Sequence, residues 1–362
     1  MFREGCEKLS IPLKKLSINT KGCQAQGFCN LGCTAGAKQG TLEVQIPQAL
    51  SRGVEIVYNA YVENISPNAV NFSVRTAPPS TKANTVREGN YTIRAEAIVV
   101  AAGSLNTPPL LLRSEGALRL RNDNVGRYLT LHPAVNVNGI HREKIKNYRG
   151  FPKLWFVDEF SDSQGFFLET SFYYPGITAK NNPHFGLEHQ TLMDDYSKMM
   201  SILVLVHDHE EKENRVRVDS TGAPVVEYRV SKESRASLIR AIRKSAEIFF
   251  AAGCEKVALP ASKKNVLTAS DLPDIENLVQ EKYLKMQKSP LSSAHPMGGA
   301  RMGADRNTAV TQPDGSLYGC PTVWIADASL FPTSSHVNPY ETVMLLASRV
   351  AENTLRSLGA AK

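Results

Sequence analysis

In the stretch SSAHPMGGARMGADRNT, residues 292–308, His295 stands beside a proline and ahead of a glycine pair. An imidazole titrates near neutrality, so it can take or give a proton at working pH. From this stretch alone it could equally be a turn histidine bonded to a backbone carbonyl. The segment PTVWIADASLFPTSSHVNPYETVMLLASRVAENTL, residues 321–355, offers a second set of groups. A strand is predicted at 322–326 and a helix over the last part, with Val343, Leu346, Val350 and Leu355 on one stripe. Asp327 then stands at the strand's end, and Asn338-Pro339 just ahead of the helix. Ligands of α/β sheets bind at the carboxyl ends of strands and beside helix N-termini, so Asp327 and Asn338 are predicted to touch one. His336 reads as a loop residue.

A different chemistry is offered by cysteine. Of Cys6, Cys23, Cys29, Cys33, Cys254 and Cys320, three crowd into CQAQGFCNLGC with the spacing C-x5-C-x3-C. Such crowding is not how a large protein spreads disulfides. Thiolates are soft ligands that suit iron–sulfur clusters, so Cys23, Cys29 and Cys33 are candidates to hold iron, with Cys6 as a weak fourth. Inert or zinc-held thiols are the alternative. His207, Asp208 and His209 could suggest a further metal site, but they end a strand beside Glu210, Glu211, Lys212 and Glu213 and are predicted to be solvated.

The elements that must position these groups follow from local pattern. Residues 54–65 and 91–103 read as strands rich in Val, Ile and Tyr. The second passes through a Gly turn into a Leu-rich helix, a strand-turn-helix unit of an α/β fold. From about 131 to 230 the pattern is mostly strand-like, with 201–211 and 215–230 clearest and a hairpin turn at Ser220, Thr221 and Gly222. A helix follows. Ser231 can cap it, Leu238, Ile242 and Phe249 share a face, and Gly253 stands where a left-handed C-terminal residue belongs. An antiparallel sheet with a helix behind it therefore sits between two α/β-like flanks, the order expected of an inserted domain.

Composition narrows the function classes. The 362 residues are 42% hydrophobic and 21% charged, which suits a globular protein and sets aside a disordered scaffold. The net charge of +7 is not gathered into dense basic clusters interleaved with aromatics, so no nucleic-acid partner is expected. No apolar run reaches the roughly 18 residues of a membrane span. The run 97–112 is broken by Asn106, Pro108 and Pro109, and MFREGCEKLS lacks the apolar core of a secretory signal. The expected place is the cytoplasm, with periplasmic export alongside a partner as the alternative.

Taken together, HPMGGARMGAD (295–305), VWIADASLFPTSSHVNPYETVMLLASRVAE (323–352), IVVAAGSLNTPPLLLRSEG (98–116), VGRYLTLHPAV (125–135) and GFCNLGCTAGAKQGT (27–41) followed by VENI resemble the glucose-methanol-choline (GMC) flavoprotein oxidoreductases, in that family's order. The resemblance implies an α/β fold, α+β overall. Its parts would be a partial FAD-binding, Rossmann-like domain and an inserted substrate domain built on an antiparallel sheet backed by helices. The expected bounds are 1–130, with the cysteine-rich loop at 23–33, then 131–288 for the substrate domain and 289–362 for the part with the catalytic groups. It implies oxidation of an alcohol to a carbonyl, with His295 accepting the hydroxyl proton and Asn338 at the second active-site position. Contacts to FAD would come from Val62, Gly103, Asp327, Ala328, Asn338 and Pro339. His132 would pack near the domain junction. The H-P-x-G-G and V-N-P versions look most like the branch of cholesterol oxidase and long-chain alcohol enzymes, which favours a bulky or apolar alcohol. The cysteine spacing resembles that of GMC subunits with a three-iron cluster that pass electrons to a cytochrome.

One departure stands against these matches. The family's G-x-G-x-x-G turn, whose N–H groups receive the FAD pyrophosphate, occurs nowhere in the 362 residues, and GGARMG at 298–303 has another spacing. A companion chain carrying that segment, a truncated frame, or a noncatalytic remnant would each account for it. An electron-transfer subunit centred on the cysteines is a further alternative, and a quinone or cytochrome could be the electron acceptor.

Overall fold

The computed structural model describes residues 1–75, 86–146, 148–285 and 288–359. The chain folds as two compact units, each assembled from three stretches of sequence. Met1–Val54, Pro133–His207 and Val230–Ser293 make the first, and Glu55–His132, Asp208–Arg229 and Ala294–Lys362 the second.

The first unit is built on a seven-stranded sheet in the order Lys14–Lys15, Trp155–Val157, Phe166–Ser171, Met199–Val206, Ala134–Ile140, Lys256–Ala258 and Val266–Thr268. Every neighbouring pair is antiparallel. Phe166–Ser171 and Ala134–Ile140 are buried along their whole length, so they lack the alternation of a half-solvated strand. The helix Lys232–Ala251 covers the sheet. Leu238, Ile242 and Phe249 face inward, Ser231 Oγ accepts from the Ser234 N–H, and Gly253 takes φ +88°. A Cβ on Gly139 would meet the Phe249 ring at 2.4 Å, so helix and sheet approach as closely as glycine allows. The terminal helix Phe2–Lys8 lies against this same helix, where a Cβ on Gly5 would meet the Ile248 carbonyl oxygen at 2.2 Å. That contact, with the pairing of Lys14–Lys15 on Trp155–Val157, groups residues 1–54 with the sheet unit and not with the flank that follows them in sequence.

The second unit holds smaller sheets around one core that includes Ile65, Leu111, Val310, Leu317, Val323 and Ile325. Ala60–Ser66, Ala69–Val74 and Gly89–Arg94 form an antiparallel meander. Ile98–Val100 pairs in parallel with Cys320–Ile325, which is flanked on its other side by Ser316–Leu317. Arg215–Val218 and Pro224–Glu227 form the expected hairpin, with Gly222 at φ +82°. The single strand expected at 91–103 is thus two strands in two sheets. The Ala95 N–H bonds back to Asn68 O, ending the meander, and the chain pairs with a distant strand from Ile98 on. The helix Tyr340–Ser357 buries Val350 and Thr354, while Leu355 is 49% exposed. Four residues on from Val350 the 3.6-residue period returns to Thr354, not to Leu355. Among the described residues no helix is long and apolar enough to cross a membrane.

Candidate active site

The site lies in the second unit, at the ends of the parallel strands. The Ala326 N–H donates to Val100 O at 2.9 Å, extending the pairing by one residue. Beyond it the buried Asp327 carboxylate accepts three hydrogen bonds. Oδ2 takes the Gly103 N–H at 2.9 Å and the Thr107 hydroxyl at 2.6 Å, and Oδ1 takes the Ser329 N–H at 2.7 Å. Charge-assisted bonds of this kind are about twice as strong as neutral ones, so one side chain fixes both strand-end turns. Gly103 sits at φ +78°, and nothing stands within 4 Å of the place a Cβ would take, so this turn borders open space. The hydroxyls of Ser104 and Ser329 beside it are buried with no hydrogen-bond partner. A buried hydroxyl left unpaired costs about 1–3 kcal/mol.

His295 is brought to the same place by backbone pairing. The N–H groups of Gly298, Ala300 and Met302 donate to the carbonyls of Ala328, Ser329 and Leu330 at 2.9–3.0 Å. Gly298 is at φ +80°, and a Cβ there would lie 2.2 Å from Tyr128 O, which explains a glycine so close behind the histidine. Thr130 and Met297 exchange two backbone bonds as an antiparallel bridge, at 2.9 and 2.8 Å. Two residues farther along each strand, His132 and His295 fall opposite one another. Their Nδ1 atoms are 3.0 Å apart and their ring centroids 5.1 Å. On the other side of the His295 ring, Nε2 lies 3.5 Å from Asn338 Nδ2. Such contacts are commonly long before a substrate bridges them. Pro339, buried, caps the helix Tyr340–Ser357, and its carbonyl takes the Val343 N–H at 2.8 Å. His336 is exposed.

His132 is fully buried and adopts φ +57°, a conformation that few non-glycine residues take. The residues beside it explain how it is held. The Leu131 N–H donates to Asp208 Oδ2 at 2.6 Å, the Tyr228 hydroxyl to the same oxygen at 2.8 Å, and the His209 N–H to Oδ1 at 3.0 Å. Burial pushes the Asp208 carboxyl above the usual carboxylate range, and these donors pull it part of the way back. The expectation of a solvated His207-Asp208-His209 end is therefore corrected. Asp208 is buried as an anchor, His207 is buried with its Nε2 3.0 Å from Ser161 Oγ, and His209 alone is exposed. Desolvation is met here by backbone N–H donors, which sequence composition does not record.

Of the other residues, Val62 lies at an irregularity of its strand, partly buried, with its carbonyl 3.4 Å from Arg113 Nη2, and Ala328 accepts from Gly298. Asp327 ties Gly103, Ala328 ties the segment after His295, Asn338 approaches the His295 ring, and Pro339 follows Asn338 at the helix cap. Thr107 escaped the sequence reading and His132 reads there as packing, for their roles arise only when segments far apart in sequence pair.

The cysteine loop belongs to the first unit. Cys23, Cys29 and Cys33 are partly buried free thiols. Among the described residues no group of three or more His, Cys, Asp or Glu side chains is placed to hold a metal ion. Cys23 Sγ accepts from the Ala25 N–H at 3.4 Å and Cys33 Sγ from the Ala37 N–H at 3.2 Å, so each turns to its own neighbours. Backbone N–H groups, Lys38 first and then Ala37 and Ala35, hold the Cys33 thiol below its ordinary pKa. Burial pushes Cys6 and Cys254 up to about 12. Since the thiolate is the nucleophile, alkylation at pH 7.5 is expected to label Cys33 well before Cys6 or Cys254. Peptide mapping with a timed iodoacetamide pulse checks this, and equal labelling of the three would refute it.

Comparison with known proteins supplies the context. Two family models described as GMC oxidoreductase match, the amino-terminal one over residues 1–134 and the carboxy-terminal one over 210–347. A long-chain-alcohol oxidase of Arabidopsis thaliana is 31% identical over 378 aligned residues, covering 98% of this chain and 50% of that protein. An uncharacterized GMC-type oxidoreductase of Mycobacterium tuberculosis is 30% identical over 342, covering 93% and 51%. The chain thus spans about half the length of these relatives. Among solved structures, a pyridoxine 4-oxidase from Mesorbium loti superposes with a TM-score of 0.68 at 16% identity, over 98% of this chain and 69% of that one. A formate oxidase of Aspergillus oryzae RIB40 gives 0.69 at 12%, with the same coverage. At such identities the structural likeness concerns the fold.

Proposed function

Because the chain belongs to the GMC oxidoreductase family, we propose that it oxidises an alcohol to a carbonyl with FAD as the electron acceptor, His295 taking the hydroxyl proton and Asn338 orienting the substrate oxygen. The observation that carries this reading is the approach of Asn338 Nδ2 to His295 Nε2 at 3.5 Å, with the segment after His295 tied by backbone hydrogen bonds to Ala328, Ser329 and Leu330. When bound, FAD would supply the two-electron acceptor that alcohol oxidation needs.

The side chains divide the remaining work. His295 Nε2 receives the hydroxyl proton as the C–H bond breaks, so that oxygen and carbon end as a carbonyl. The Asn338 amide donates to that oxygen without competing for its proton. The open space beside the Gly103 turn, next to Asp327, is where the hydroxyl-bearing stretch of the cofactor would lie. Val62 at the adenine end and Ala328 and Pro339 near the flavin complete the proposed contacts. The N–H cradle for the pyrophosphate is not among these residues, and in this reading it belongs to polypeptide beyond them. A bulky, apolar alcohol is the favoured substrate class, supported by the match to a protein named as a long-chain-alcohol oxidase.

Replacing Asn338 by alanine removes a donor to the reacting oxygen and is expected to lower kcat/KM for a long-chain primary alcohol by about 10²-fold. Steady-state kinetics of the flavin-loaded protein measures this. An unchanged value would remove Asn338 from the site.

A further inference from the structure

The geometry points to His132 as the positioning residue that keeps the proton of His295 on Nδ1, leaving Nε2 bare toward Asn338. This rests on the reading of His295 as proton acceptor and adds the residue that makes it one. Two Nδ1 atoms 3.0 Å apart share one hydrogen, so one ring donates and the other accepts. If His132 donated, the proton of neutral His295 would sit on Nε2, and that nitrogen could accept nothing. If His295 donates from Nδ1, Nε2 carries the lone pair. Asn338 selects between the two, because the amide atom it places 3.5 Å from Nε2 is Nδ2, which bears two hydrogens.

The surroundings hold His132 to this task. A non-glycine residue in the left-handed region is strained, and such strain persists where neighbours over-determine it. Here the Thr130–Met297 bridge fixes the strand before it, and Asp208, held in turn by Tyr228, takes the Leu131 N–H. Asp208 and Tyr228 are the titratable groups on that side, with His295 on the other. When Nε2 takes the hydroxyl proton, His295 becomes an imidazolium whose Nδ1–H still points at the lone pair of His132. That contact stabilises the charged form and makes His295 a stronger base.

The test uses the flavin-loaded protein at neutral pH. Long-range proton–nitrogen NMR of selectively labelled histidine is expected to find the His295 hydrogen on Nδ1 and Nε2 bare. His132→Ala is expected to slow the limiting rate of flavin reduction about 10–100-fold, part of what a general base supplies, with KM within about 2-fold. The acidic limb of its pH profile should move to lower pH, because the imidazolium has lost its acceptor. His132→Asn puts an amide oxygen near the former Nδ1, tolerates positive φ, and should restore most of the rate and return the limb. A wild-type His295 hydrogen on Nε2, or a His132→Ala enzyme with unmoved tautomer and limb, overturns the inference. Should His132→Ala fail to fold, the wild-type NMR measurement decides alone. If His295→Ala keeps full flavin reduction, the proton-acceptor reading falls, a result separable from the tautomer measurement.

Discussion

Replacing His295 by alanine is expected to slow alcohol-dependent flavin reduction by about 10²–10⁴-fold, the range a positioned general base contributes. Its Nε2 lies 3.5 Å from the Asn338 amide and its Nδ1 is backed by a second imidazole. His295 is only partly buried, and the segment after it is held by backbone bonds from Met297 to Met302, so the variant should fold and keep its flavin. Stopped-flow reduction under anaerobic conditions separates lost chemistry from lost cofactor. A rate within about 3-fold of wild type, at equal flavin content, would end the assignment.

Replacing Asp327 by alanine is expected to cost about 3–5 kcal/mol of stability and to release flavin, because it strips the acceptor from three donors in a buried setting. Those donors are the Gly103 N–H, the Thr107 hydroxyl and the Ser329 N–H. Thr107 Oγ1 also accepts from the Ala102 N–H, so the loss reaches the whole turn after Ile98–Val100. Asp327→Asn keeps one oxygen acceptor and should lose less. Urea titration followed by tryptophan fluorescence, with Trp324 in the strand leading to Asp327, reads the first effect, and flavin content after gel filtration reads the second. An alanine variant with unchanged midpoint and flavin would mean that the turn is held by something else.

What the sequence disclosed and what it hid divide along physical lines. Ser231, Gly253 and the Leu238–Ile242–Phe249 face were legible because caps and helical periodicity are local properties. The hairpin at Gly222 was legible for the same reason. The strand at 91–103 broke in two because its halves pair with partners far apart in sequence, Ala69–Val74 and Cys320–Ile325. Residues 1–54 joined the antiparallel unit through the contact of Gly5 with Ile248 and the pairing of Lys14–Lys15, neither of which has a local signature. Asp208 read as a solvated acid beside other acids, and became a buried anchor once the Leu131 N–H reached it. His132 read as packing, and only the Thr130–Met297 register sets it against His295.

In the proposed reaction His295 and Asn338 work on an alcohol beside a flavin. The most direct measurement is the visible absorption spectrum of the protein purified with its native polypeptide context, recorded without oxygen before and after a long-chain primary alcohol is added. Flavin bands that bleach with the alcohol, and do so far more slowly in His295→Ala, are the predicted result. A colourless protein, or flavin bands that no alcohol bleaches, would contradict the account.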